Sequence, residues 1–127
     1  MKRYIVVTAI VITILLCAWL VQTHIHKQIT EFEAQFEHLH RLAETGELAQ
    51  AKEFCDRLVA DWDEKREFWE VFIDHSVLDE AQATLYELQG YIQSNAPYYQ
   101  IHSTFLRLEA DLMQIDMQTR LTIGHLL

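Results

Sequence analysis

The run FWEVFIDHSVLDEA, Phe68 to Ala81, places Asp74 next to His75 and sets Asp79 four residues beyond that histidine. A carboxylate beside an imidazole raises its basicity and orients the ring, so His75 with Asp79 suits a general acid/base pair or half of a metal site. The same groups also suit a polar clasp that fixes how one helix lies against its neighbours. A helical wheel separates the three. With Val71, Leu78, Leu85 and Ile92 as the core face, Asp74 projects about 40° from Leu78, His75 about 60° to the other side and Asp79 about 100°. Asp74 is therefore expected to face inward, and an inward carboxylate must be paired, hydrogen-bonded, at the mouth of the bundle or protonated. Ser76 points about 160° away from Leu78, so it cannot join His75 as a nucleophile, and no glycine-rich elbow accompanies it. No catalytic residue is assigned and the chain is read as not an enzyme. Asp74, His75, Asp79, Trp62 and Trp69 form the candidate structural or binding cluster.

Seven histidines raise the question of metal. His24-x-His26 and His38-x-His40 each put two rings about 200° apart on a helix, so neither pair chelates by itself. Glu37-x-x-His40 matches half of a di-iron ligand set, which needs a second such motif, and no other histidine follows a glutamate by three residues. No metal ligand and no cofactor is assigned. Trp62, Phe68, Trp69 and Phe72 are read as an aromatic plug for one corner of the fold, with a partner or ligand patch as the other reading.

The elements that must position these residues begin at the N-terminus. Tyr4 to Val21 is an uncharged apolar run broken only by Thr8 and Thr13; its eighteen residues give about 27 Å of helix, enough for a membrane span. No A-x-A-like cleavage site follows it, and Leu16 before Cys17 argues against lipid attachment. An uncleaved anchor is expected. Lys2 and Arg3 precede the run, Lys27 is the only basic residue soon after it, and Trp19 lies near its outer end. By the positive-inside rule the N-terminus, residues 1–3, is expected in the cytoplasm, residues 4–21 in the cell membrane and residues 22–127 outside. A cytoplasmic tail of three residues leaves no room for an output domain.

The portion after residue 21 carries all 19 acidic residues but only eight of the ten basic ones, a balance of −11. Such a charge disfavours nucleic acid and anionic headgroups. Its lone Cys55 has no partner there, so packing and not a disulfide must hold this portion together.

Three glycines and one proline leave little material for sheet turns, and the expected class is all-α. Ile25, Ile29, Phe32, Phe36, Leu39 and Ala43 form a seam at the coiled-coil period, ended at Thr45-Gly46. Leu48, Ala51, Cys55, Leu58 and Trp62 form a second, with Cys55 read as a buried thiol. After Trp62 the phase changes, and a turn is placed within residues 61–67, with Asp61 and Glu64 as a capping box. A third stripe, Val71, Leu78, Ala81, Leu85, Leu88 and Ile92, ends at Ser94-Asn95-Ala96-Pro97, and a fourth runs from Tyr98 through Ile101, Phe105, Leu108, Leu112, Ile115 and Thr119 to Thr122. The architecture expected is an N-terminal transmembrane helix continuing into an antiparallel bundle of about four helices, over residues 22–45, 47–61, 65–93 and 97–123.

A basic start and a single span, then Gly46-Glu47-Leu48-x-x-Ala51, Trp62 and Trp69, Asp74-His75-Ser76-Val77-Leu78-Asp79, Leu85-x-x-Leu88 and a close at Thr122-Ile123-Gly124-His125-Leu126-Leu127 make a recognisable combination. The chain resembles a family of small single-pass membrane proteins of Gram-positive, often spore-forming, bacteria, classed as domain of unknown function four-three-six-three. The resemblance implies the fold and topology and makes His75 and Asp79 a family feature; it implies no activity. The leading expectation is a membrane-anchored module that associates with another membrane or envelope protein, or with itself through the seam from Ile25 to Ala43. The alternative is a ligand- or metal-sensing ectodomain built on Asp74, His75 and Asp79.

Overall fold

The computed structural model describes the backbone of residues 1–126 and side chains through Leu121. Side chains of the closing Thr122-Ile123-Gly124-His125-Leu126-Leu127 lie outside the described residues. Four helices follow in order, α1 (Lys2–Glu44), α2 (Leu48–Trp69), α3 (His75–Gln93) and α4 (Tyr98–Leu126), and the described residues contain no strand. Each helix packs against its neighbour in sequence, and α4 closes the ring against α1. The result is an up-down-up-down antiparallel bundle.

Helix α1 runs 43 residues without interruption, about 65 Å. Its first half is exposed through Leu20 except for the half-buried Ala18, and Val21 is the first residue packed against the core. That half has a mean hydropathy of 2.7 and is a candidate membrane span. From Ile25 onward the seam residues Ile25, Ile29, Phe32, Phe36, Leu39 and Ala43 are buried among the other helices. The seam offered for self-association is thus consumed inside the chain, and pairing through it would require opening the bundle.

The turns have local causes. Gly46 takes a positive φ of 80°, which lets the Glu47 amide reach back to the Leu42 carbonyl at 3.0 Å and close α1. Asn95, at φ 56°, does the same for α3, with the Ala96 amide on the Tyr91 carbonyl at 2.9 Å; Pro97 then precedes the first turn of α4.

The α2 to α3 boundary differs from the expected one. Helix α2 does not stop within residues 61–67 but continues to Trp69, and the turn covers Glu70 to Asp74. Asp61 does not cap there; it accepts a hydrogen bond from Lys65 at 3.1 Å, one turn on. The apolar stripe lapses because Lys65 and Arg66 occupy the inner side between Trp62 and Trp69. The Lys65 ammonium lies 4.8 Å from the centre of the Phe32 ring, and the Arg66 side chain is 12% exposed. Long charged side chains that bury their stems continue a core face without looking apolar. Val71, expected in the core, lies in this turn and is 74% exposed, whereas Leu78, Ala81, Leu85, Leu88 and Ile92 are fully buried. Tyr98 is likewise exposed at the start of α4.

Candidate functional site: polar clusters and the outer face of α4

Asp74 does not face inward, because it is not inside a helix. It is the N-cap of α3: its carboxylate accepts from the Ser76 amide at 3.2 Å and the Ser76 hydroxyl at 3.0 Å, while its own amide donates to Gln118 Oε1 of α4 at 3.1 Å. The sequence signal was available, since aspartate ahead of a periodic apolar segment is a helix-start pattern. His75 is exposed, and among the described residues it makes no side-chain hydrogen bond. Asp79 turns away from it to pair with Arg66 of α2. The three groups do not converge on one point.

Arg66 is the organiser that sequence reasoning missed. Its guanidinium reaches Glu70 at 2.9 Å, and also Gln82 and Asp79 of α3. Burial lowers its pKa, but hydrogen bonds and charges from Asp79 and Glu70 outweigh that and leave it above the ordinary value. Gln82 in turn accepts from the Trp62 indole at 3.3 Å, so one polar chain links surface to core across α2 and α3. The Trp69 indole donates to Gln28 of α1 at 2.7 Å. Trp62 and Trp69 are fully buried, edge to face at 5.2 Å, and Phe32 packs against both. Both tryptophans therefore belong to the core, while Phe68 at the same corner stays 40% exposed.

A second cluster joins α1 to α4. His40 Nε2 lies 2.8 Å from the Tyr98 hydroxyl and 3.1 Å from His102 Nδ1. The two imidazole centres are 5.1 Å apart and their planes are inclined by 29°, so the rings overlap in part while two of their nitrogens approach. Beside them a cleft of about 580 Å³ between the helices is lined by Glu33, Glu37, His40, Phe105, Glu109 and Met113 among others. Burial raises the pKa of Glu33, reinforced by Asp116 and Glu109 and opposed by His26. Among the described residues no three of His, Cys, Asp and Glu are placed to hold a metal ion, and no buried side-chain polar atom lacks a partner. Even the buried Asp111 accepts from Thr84 at 2.7 Å. The Cys55 thiol is sealed in the core, and burial pushes its pKa up to about 12, with Asp56 adding to the shift.

The inner face of α4, Ile101, Phe105, Leu108, Leu112, Ile115 and Thr119, is buried as expected. Its opposite face carries a second row, Ser103, Leu106, Ala110, Met113 and Met117, stepping by 3, 4, 3 and 4, with Tyr99 and Leu121 extending it at either end. All seven are exposed; Leu106, Met113, Met117 and Leu121 each show more than half their surface and Tyr99 shows 70%. A helix apolar on two opposite faces is recognisable from sequence, but the stronger inner seam masks the outer one. At the other end of the molecule Lys2 and Arg3 occupy the first turn of α1, and Trp19 projects into the surroundings where the apolar half ends.

A family model described as a domain of unknown function, DUF4363, matches residues 19–123. No curated protein and no solved structure matches the chain.

Proposed function

Because the chain belongs to the DUF4363 family, whose description specifies no activity, geometry must carry the reading, and we propose an anchored extracytoplasmic module that pairs with a second copy of itself. Lys2 and Arg3 on one side of the apolar half of α1, against Lys27 alone soon after it, favour a bundle outside the cytoplasm. The observation that carries the pairing is the outer row of α4. Two copies anchored in one bilayer with the same orientation present their α4 helices parallel, and a 3-4 spacing of apolar residues is the pattern that parallel helices interlock. The large side chains of the row, Tyr99, Leu106, Met113, Met117 and Leu121, each leave more than half of their surface exposed. A stable interface needs about 800 Å² per partner, so the residues of α4 that flank the row would join it in the contact.

The test is cross-linking of the full-length protein in membranes. In a Cys17→Ala background, Met113→Cys should form a disulfide-linked dimer on oxidation, whereas Tyr86→Cys on α3 should not. Adding Leu106→Glu should abolish that dimer. A protein that stays monomeric, or that is recovered bound to a different membrane protein through α4, would overturn self-pairing.

A further inference from the structure

The exposed apolar turn between α2 and α3 has no explanation within the bundle. Val71 is 74% exposed and Phe68 40%, and Phe72 is half-buried beside Phe68, with ring centres 5.4 Å apart. The turns at the opposite end of the bundle, Glu44-Thr45-Gly46-Glu47 and Ser94-Asn95-Ala96-Pro97, hold no large apolar side chain, and the exposed Leu48, Tyr98 and Tyr99 there lie in the helices that follow them. Antiparallel packing brings the apolar turn to the end where α1 leaves its exposed apolar half. Two contacts fix its height: the Trp69 indole bonds Gln28 at 2.7 Å, and the Phe68 ring meets the His24 ring edge-on at 5.6 Å. His24 lies three residues beyond Val21, the end of the candidate span, which is about 4.5 Å along the helix. The headgroup zone on each side of a bilayer is about 5–8 Å deep.

We infer that the α2 to α3 turn is a second membrane contact, a foot that sets Phe68 and Val71 into the headgroup and acyl boundary of the leaflet from which α1 emerges. The inference rests on the anchor reading given above. Aromatic and branched apolar side chains favour that boundary. The charges nearby are mixed: Glu67, Glu70 and Asp74 are acidic, Arg66 is held by Glu70 and Asp79, and Lys27 of α1 is the one exposed cation beside Gln28, so the contact works by apolar insertion and does not call for anionic lipid. The turn gains a reason to be apolar while lying outside the core. Exposure that would be a liability in water is shielded in lipid.

The experiment uses the full chain in discs of zwitterionic phosphatidylcholine, carrying Cys17→Ala; Cys55, sealed in the core, does not take label. A nitroxide is attached in turn through Val71→Cys, Glu47→Cys and Val11→Cys, and its collision rates with oxygen and with a water-soluble nickel chelate are compared. The oxygen-to-nickel ratio at position 71 should exceed that at position 47 several-fold and should approach that at position 11. A ratio at position 71 equal to that at position 47, with position 11 in lipid, overturns the foot and leaves the anchor standing. Position 11 accessible to nickel overturns both.

Discussion

Asp74 shows how the placement of one residue changes its chemistry. As a core carboxylate it would need a charged or protonated explanation; as an N-cap it satisfies the amide of Ser76 and is itself solvated. Asp74→Ala should therefore cost about 1 kcal/mol, lowering Tm by about 4–8 °C in a domain of this size. His75→Ala should stay within about 0.5 kcal/mol, and thermal denaturation of the two variants side by side decides the matter: equal losses would restore the clasp. Glu33 is exposed too, at the cleft between α1 and α4, yet its neighbours shift its titration. Its folded pKa is raised from the ordinary value, first by partial desolvation in the cleft and then by Asp116 and Glu109, with His26 opposing. Folding thus favours the protonated form, a contribution present in full below the unfolded pKa and lost as pH rises through the folded one. Glu33→Gln should raise Tm at pH 7, and the gain should vanish below about pH 4. Composition and spacing single out Trp62, Trp69 and Asp79, but their partners Gln82, Gln28 and Arg66 come from other helices. No spacing within one helix reports a contact 41 residues away, such as Trp69 with Gln28.

At the level of the helices, seams at the 3-4 period made α1 and the inner face of α4 readable in advance, and the glycine and proline breaks located two turns. The third turn was misplaced because its signals run against habit. Glu70 to Asp74 contains neither glycine nor proline, while Lys65 and Arg66 interrupt the apolar stripe in the middle of a continuing helix. The corner where α1, α2 and α3 meet depends on the two indoles. Trp69→Ala removes a fully buried ring and orphans Gln28, and should cost about 3–5 kcal/mol, a large part of the stability of a bundle of about a hundred residues. Trp69→Phe keeps most of the packing and should cost distinctly less. Chemical denaturation of the two variants measures both, and near-equal losses would show that the hydrogen bond to Gln28, and not ring volume, carries the corner.

Over the whole molecule, α1 is at once the apolar half that emerges from the bundle and one wall of its core, with no joint at Val21. Gln22→Pro should introduce one, removing a backbone hydrogen bond at a cost of about 3 kcal/mol. The bundle should then keep its helical signature by circular dichroism while a label at position 71 becomes accessible to water. The same rigidity governs what a dimer built on α4 does inside the lipid. Each α1 stands one helix spacing behind its own α4, and the two α4 axes stand one spacing apart, so three intervals of about 8–10 Å separate the two spans by roughly 24–30 Å. Paired in that way, the two apolar halves would not touch each other. In such a pair a gap wide enough for one or two further helices would separate them, so pairing through α4 would leave each apolar half of α1 surrounded by lipid and not by its twin.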